Sequence, residues 1–502
     1  MAVLIAKTDN LRLDLPSRVD VIVVGAGNAG FSAAHAAALR GRSVLVLERE
    51  SAEMSGGNSF YSAGATRICH NGLDDIADFI EADDRHDVTV VPPYSAEEYA
   101  TDLANVTNGR NDPDLTRVLA EESGPTLRWL SKLGIRYRLM YERQAYERLD
   151  GSFLFWGGLH VGNVGGGEGL MADHTAVAAR LGVDVRYGVT VTDLLSSNGR
   201  ISGVSCQGGE GGTANIFGSS VVLAAGGFET NAALRVEHLG QEWEHARVRG
   251  TANNDGALIE VAMGLGAASG GDWNSCHSVQ WDAFARQNES NRELTNRLTR
   301  GGYPLGILVN RDAKRFVDEG ADFRNYTYAK YGRAVLQQPG SIAYQIFDAE
   351  HRALLRAEEY EMPGISVQSG ATLDELARNI RLDPDVLEET VQNFNASIDQ
   401  SVVWDPTIRD GRRADVTPPK SNWAAPLEQG PFYAFAVTCG ITFTFGGLKS
   451  DTHGRVLDVA GEPLPGLYVC GEMLGGLFSE NYPGGSGLAA GMVFGRRAGL
   501  LA

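Results

Sequence analysis

Residues 19–48 constrain this chain more than any other stretch. They read Val-Asp-Val-Ile-Val-Val-Gly-Ala-Gly-Asn-Ala-Gly, pass through an alanine-rich segment, and end Ser-Val-Leu-Val-Leu-Glu. The apolar run ending at Val24 predicts a strand. Gly25, Gly27 and Gly30 form GxGxxG and open a helix, and a second apolar run closes on Glu48, 23 residues after the first glycine. Gly25 suits the tight turn, Gly27 lets backbone approach a pyrophosphate, and Gly30 lets helix and strand pack closely. The helix start at Asn28 and Ala29 offers free N–H groups to phosphates. Glu48, followed by Arg49, can accept the hydroxyls of an adenosine ribose. This order of strand, turn, helix, strand and acid predicts a dinucleotide-binding βαβ unit.

The formal net charge is −19, from 44 basic and 63 acidic residues. A negative field of that size repels phosphate backbones and anionic lipid, which argues against nucleic acid as a partner. The five cysteines form no CxxC pair and cluster with no histidine at ligand spacing, so free thiols are expected and no metal. No segment approaches the roughly 18 apolar residues of a membrane span, and the N-terminus lacks a signal-peptide pattern. A soluble cytoplasmic protein without integral membrane contact is expected, acting on a small molecule.

Residues 1–18 read as a short arm. A second glycine-rich loop follows at Ser55-Gly56-Gly57-Asn58-Ser59. Residues 95–135 predict helices divided at Pro113 and at Gly124-Pro125. A helix is expected from about 170 to 181, then strands at 183–187, 189–195 and 201–206, a hairpin tip at 208–212, and a return strand to Ala225. Asn253-Asn254-Asp255-Gly256 starts another helix. From 272 to 438 the texture changes to helical patterns, loops and aromatics without strong strand signals, which suggests an inserted domain. Strand-like, glycine-rich sequence returns at 439–502 and closes with a helix.

With these segments placed, the chain resembles the flavoprotein family of fumarate reductases, succinate dehydrogenases, ketosteroid dehydrogenases and tricarballylate dehydrogenases. The resemblance covers nearly the whole length. It rests on GAGNAG with Glu48, SGGNS at 55–59, AAGGFE at 224–229, LVNRDAKRFVDE at 308–319, and GLYVCGEM with NYPGGSG at 466–487. It implies an α/β fold: a Rossmann-like FAD-binding domain of the glutathione-reductase type with an inserted α+β capping domain. The boundaries implied are 1–271 and 439–502 for the FAD domain and 272–438 for the cap. The cofactor implied is FAD. Gly25, Gly27, Asn28, Ala29 and Gly30 would face its pyrophosphate, and Glu48 with Arg49 its ribose. Ser55, Gly56, Gly57, Asn58 and Ser59 would pass the flavin ring. Val191, Ala225, Gly226, Gly227, Asn254 and Asp255 would line the remaining walls. Gly471 and Glu472 would hold the ribityl chain, and Gly485, Ser486 and Leu488 the pyrimidine end. Some family members attach FAD through a histidine after the second strand. None stands between Met54 and Ser62, which implies non-covalent FAD.

Departures from the family pattern bear on the substrate. Thr442 and Phe443 stand where fumarate reductases carry a carboxylate-binding histidine. Tyr482 stands where they carry a clamping arginine, so a bidentate fork is replaced by a phenol. Tyr482-Pro483-Gly484 resembles segments of both ketosteroid and tricarballylate dehydrogenases. The runs at 165–171 and 319–328 favour the tricarballylate branch. The chemistry implied is oxidation of a C–C bond α,β to a carbonyl or carboxylate: the α-proton leaves to a base and the β-hydride passes to flavin N5. Arg324 is the first candidate for proton transfer, with Tyr326 and Tyr328 as phenolate alternatives lowered by a neighbouring cation. The plain alternative for Arg324 is a surface pair with Asp322 or Glu319. His160 and His277 are candidate substrate contacts. Arg300, Arg324 and Arg333 would suit a polyanion. Trp281, Tyr303, Phe316, Phe323, Tyr326 and Tyr328 would suit an apolar ring. Three readings follow: a tricarballylate-like dehydrogenase, a ketosteroid or cyclic-ketone dehydrogenase, and a flavin redox protein without turnover. The electron acceptor could be a quinone, a partner protein or oxygen.

Overall fold

The computed structural model describes residues 14–209, 211–286 and 290–502, so most of the arm expected at 1–18 lies outside the described residues. The strand Arg18–Val24 sits inside an eight-stranded sheet. It runs parallel to Val44–Leu47 on one side and to Thr213–Leu223 on the other. Val44–Leu47 pairs in turn with Asp184–Arg186, and Pro463–Val469 runs parallel to the end of Thr213–Leu223. Val21, Ile22 and Val23 are fully buried, as strands covered on both faces require. The antiparallel strands Val189–Ser197 and Arg200–Gly208 extend the sheet through Thr213–Leu223.

The glycines of the first turn do different work. Gly25 has φ +103°, and a Cβ there would collide with the carbonyl of Ala224. A Cβ on Gly30 would collide with the carbonyl of Gly25. Gly27 is open by contrast: a Cβ would meet nothing closer than Ser59 Oγ at 3.5 Å. The helix Asn28–Leu39 then packs on the final helix Ser486–Leu501. Contact is so close that side chains at Gly495 and Gly499 would overlap the carbonyls of Ala29 and Ala33.

Two sequence expectations change here. The break at Gly124-Pro125 does not occur, because the helix Pro113–Lys132 continues through Pro125. Burial of Leu119, Ser123, Thr126, Leu127 and Leu130 holds the turn across the missing N–H, and Gly124 lets the helix approach the carbonyl of Cys69. The break at Pro113 does occur. Pro113 starts the helix and Asp112 caps it, accepting from Asp114 N and Leu115 N at 2.9 Å.

The second change is a six-stranded sheet in the region that carried weak strand signals. Its centre is the 17-residue strand Phe432–Leu448. Ser269–Asp282, Ala343–Phe347 and Val367–Gly370 pair with it antiparallel, and Arg247–Val248 pairs parallel. Glycines and polar residues hid these strands. Gly446 and Gly447 are needed where Trp273 and the carbonyl of Met473 press on the strand, and Ser269–Asp282 carries bulges. Both long strands pass through the positions where the sequence changes texture, 271–272 and 438–439. Among the described residues no helix is long and apolar enough to cross a membrane, and no cluster of His, Cys, Asp and Glu could hold a metal.

The Gly30 contact yields a test. Gly30→Ala should destabilise the fold by about 1–3 kcal/mol and lower retention of bound dinucleotide, read by thermal unfolding and by cofactor absorbance after desalting. Unchanged stability and retention would mean that helix and turn do not need this approach.

Candidate active site

One cleft runs from the first glycine turn to the second sheet. Gly25, Gly27, Asn28, Ala29, Glu48 and Arg49 line its first end. The N-cap Gly27 has no side chain to cap the helix Asn28–Leu39; Asn28 N donates to Ser59 Oγ at 3.1 Å, and the N–H groups of Ala29 and Gly30 remain for an anion. Glu48 is 8% exposed and ties the turn down: its carboxylate accepts from Ala26 N at 2.8 Å and Glu50 N at 3.0 Å. Burial raises this carboxyl, against those two N–H groups. Arg49 reaches across to Asp255 at 2.9 Å. Gly57, at φ +52°, has no heavy atom within 4 Å of a would-be Cβ. Gly27 and Gly57 together give a bare backbone cradle of the kind a pyrophosphate and a flat ring require.

Gly56, Asn58, Ser59, Val191, Ala225 and Gly226 also line the cleft, as do Asn254, Gly471, Glu472, Gly485 and Leu488. Gly30, Ser55, Gly227 and Ser486 do not, and each acts from behind the wall. Ser55 Oγ donates to Ala52 O at 2.9 Å, and Ser486 Oγ accepts from the hydroxyl of Tyr99 at 2.9 Å. Gly227 leaves room for the Glu472 carboxyl, which a Cβ would strike.

Two buried acids meet under this cradle. Glu229 Oε1 accepts from Asn58 Nδ2 and Asn254 Nδ2 at 2.7 Å, and Glu472 Oε2 lies 3.4 Å from the same two nitrogens. Burial and then the neighbouring Glu229 push Glu472 well above the usual carboxylate range, and burial raises Glu229 as well. No ion pair reaches either acid among the described residues, so nothing offsets the burial that shifts both toward the protonated form.

The far end of the cleft holds the reactive groups. Tyr328, Thr442, Phe443 and Tyr482 line it together with Arg143, Arg249 and Arg324. The Tyr328 and Tyr482 hydroxyls hydrogen-bond to each other. Burial raises Tyr328, against Tyr482 and Arg249, and burial with Tyr328 raises Tyr482 further. Both shifts run against the lowered phenol that a phenolate base at Tyr328 would need. Arg324 does not pair with Asp322 or Glu319, which face Arg409 and Arg315. It meets Glu359 at 3.3 Å, where Arg143 arrives at 3.1 Å and Arg356 at 3.6 Å. Burial alone would raise the Glu359 carboxyl, but Arg324, Arg356 and Arg143 overcome it and hold it at about 2.

Several expected contacts fall outside the cleft lining. Tyr326 donates to Asp102 at 2.6 Å and lies beside Arg67, so it is not in reach of a substrate. His160 Nδ1 is 2.8 Å from His70 Nε2 in a buried pair. His277 lies behind the wall, stacked on Phe443 with centroids 5.1 Å apart, and neither ring nitrogen has a hydrogen-bond partner among the described residues. Burial and then Arg249 keep it neutral. Arg300 is taken by Asp282 at 2.8 Å, and Arg333 does not reach the cleft. Of the aromatic residues expected for a ring slot only Tyr328 lines it; Phe445 and Phe478 join Phe443 and Tyr482 instead. Arg143 and Arg249 carried no motif. The nearest signal was the Asn253-Asn254-Asp255-Gly256 run just after Arg249.

A bare dinucleotide cradle that opens onto phenols and guanidinium groups defines a flavoprotein oxidoreductase. The family model described as FAD binding domain matches residues 20–488, and the chain belongs to that family, the FAD-dependent flavoproteins of the fumarate reductase/succinate dehydrogenase type. Its members act on CH–CH bonds, and FAD is the cofactor. The chain is 28% identical to a probable fumarate reductase of Shewanella frigidimarina, over 95% of this chain and 74% of that protein. It is 29% identical to 4-oxocyclohexanecarboxylate 2-dehydrogenase of Sinomonas cyclohexanicum, over 96% of this chain and 92% of that protein. The open conformation of a flavocytochrome c3 fumarate reductase superposes with a TM-score of 0.71 at 26% identity, over 97% of this chain and 78% of that one. The 3-ketosteroid Δ1-dehydrogenase of Sterolibacterium denitrificans superposes with a TM-score of 0.74 at 21% identity, over 96% and 99% of the two chains, a likeness of fold.

Two variants test the electrostatics. Glu359→Ala leaves three guanidiniums without their shared anion and should cost about 3–5 kcal/mol, read by urea unfolding of the FAD-loaded protein. A loss below about 1 kcal/mol would mean that solvent screens the cluster. For the acid pair, the folded pKa lies above the unfolded one. Its stabilising contribution is present below the ordinary carboxylate pKa and is lost as pH rises through the folded value. Glu229→Gln removes the repulsion. The fall in unfolding temperature from about pH 5 to about pH 8 should be smaller in the variant, and an identical fall would remove the pair from the pH response.

Proposed function

We propose that this chain is an FAD-dependent dehydrogenase that introduces a C=C bond α,β to a carboxylate or carbonyl of a small carboxylated substrate, of the tricarballylate type. The observation that carries it is the meeting of Arg143, Arg324 and Arg356 on the single carboxylate Glu359, with Arg143 and Arg324 lining the cleft beside Tyr328 and Tyr482. Arg143 also meets Glu358, so three guanidiniums stand against two carboxylates; the remaining positive excess is completed by an anionic substrate.

Bound FAD supplies the acceptor for the hydride. The protein does the rest. The Tyr328–Tyr482 pair donates a hydrogen bond to the substrate oxygen next to the α-carbon and stabilises the enolate-like charge. Arg324, hydrogen-bonded to Glu359 at 3.3 Å, would relay the α-proton: it takes the proton from carbon as one of its own N–H protons passes to the Glu359 carboxylate, so the guanidinium charge is unchanged and the proton ends on the acid. The aromatic wall of Phe443, Phe445 and Phe478 excludes water from the reacting bond. Residues 272–438, which supply Arg324, Tyr328, Asn296 and Thr299, act as a cap over the cleft. With no histidine between Met54 and Ser62, FAD is held non-covalently. Electrons then leave to a quinone, a partner protein or oxygen, in the cytoplasm.

A cyclic keto acid is the second reading, favoured by the phenol pair. A ketone oxygen would sit on Tyr482 while the carboxylate met the arginines, and the 4-oxocyclohexanecarboxylate dehydrogenase relative acts on a molecule of that shape.

Anaerobic bleaching of the flavin with tricarballylate, succinate, 4-oxocyclohexanecarboxylate and a 3-ketosteroid tests both. Bleaching by a carboxylate is expected, and bleaching by the steroid alone would contradict the anionic reading. Tyr482→Phe should slow reduction by about 100- to 1000-fold while FAD stays bound, and normal turnover would remove the phenol from carbonyl activation.

A further inference from the structure

Four arginines line the cleft, and among the described residues Arg249 is the one that no carboxylate pairs with. It follows the short strand Arg247–Val248, and its N–H donates to Ile441 O at 2.7 Å. Its guanidinium is oriented by neutral hydroxyls alone. Nε donates to Thr299 Oγ1 at 3.1 Å and Nη1 to Thr442 Oγ1 at 3.0 Å. These bonds point the group without neutralising it, and the Nη2 edge donates to no group of the described residues. Trp281 lies 5.9 Å from the cation.

Arg249 is half-buried; a guanidinium drawn partly out of water is unfavourable unless an anion answers it, and it does not lose its proton to escape that cost. The missing anion has to come through the cleft. The position is also rigid. Asn58 of the flavin loop accepts from Thr251 N at 3.0 Å and donates to Thr442 O at 2.9 Å, so residues on both sides of the guanidinium are pinned to that loop. A group bound by Arg249 is thereby fixed relative to the cofactor.

We propose that Arg249 is the carboxylate anchor of this site: its free guanidinium edge pairs with a carboxylate of the ligand and selects carboxylated molecules over neutral ketones. It does the task of the fork that is absent at Phe443 and Tyr482, from a different strand. The inference deepens the dehydrogenase reading and depends on it only for calling the ligand a substrate.

The test is a binding titration of the FAD-loaded protein. Perturbation of the oxidised flavin spectrum by tricarballylate and by succinate is followed for wild type, Arg249→Met and Arg249→Lys. Carboxylate affinity should fall about 10- to 100-fold in the methionine variant and by an intermediate factor in the lysine variant, with FAD content and unfolding temperature retained. Affinity within about twofold of wild type in Arg249→Met, or no binding of either carboxylate by wild type, would overturn the proposal. Should Arg249→Met lose FAD, Arg249→Lys decides: weakened carboxylate binding with FAD retained supports the anchor, and unchanged affinity overturns it. A wild-type protein that binds tricarballylate through Arg249, yet is bleached by no compound, would keep the anchor and remove the dehydrogenase reading.

Discussion

The side-chain amide of Asn58 joins the parts of this molecule that have to act together. Its nitrogen donates to Glu229, to the carbonyl of Thr442 and, at longer range, to Glu472; its oxygen accepts from Thr251. One residue of the second glycine loop thus ties the cofactor cradle to the acid pair, to the long central strand of the second sheet, and to the turn that carries Arg249. Gly250 is part of the same joint, because a side chain there would strike the Asn58 oxygen. The cleft has a fixed shape because these four connections meet at one amide.

Charge organises the two ends of that cleft differently. At the cradle end, two acids are buried with no ion pair among the described residues, and burial, then the neighbouring Glu229, raises Glu472 well above the usual carboxylate range. At the substrate end, three guanidiniums outnumber the two carboxylates Glu358 and Glu359, and burial raises the phenols beside them. The chain as a whole carries −19, so its long-range field does not draw anions in. The local excess of arginine has to overcome that field at close range, inside walls that weaken solvent screening.

Local spacing made the cradle legible in the sequence. Gly25, Gly27, Gly30 and Glu48 act through neighbours along the chain, and the strand, turn and helix between them set their geometry. The reactive end was only partly legible, because it is assembled across the second sheet. Arg249 gains its meaning from the pairing of Arg247–Val248 with residues 440 and 441, and Arg143 from an approach to Glu359 more than 200 residues away. Neither leaves a motif. Tyr326 and Tyr328 looked equivalent in sequence. They flank the end of the short helix Arg324–Thr327, where residues two apart point to different sides, so one reaches Asp102 and the other Tyr482. Pro125 misled because its helix is held by core packing rather than by propensity.

The most direct test of the account is a crystal structure of the FAD complex with tricarballylate bound. The account predicts the isoalloxazine ring in the cradle formed by Gly57, Gly226 and Gly485, one carboxylate against the Nη2 edge of Arg249, and a second within hydrogen-bond distance of Tyr482. A ring placed elsewhere, or an anion bound away from these arginines while the two tyrosine hydroxyls stay bonded only to each other, would contradict it.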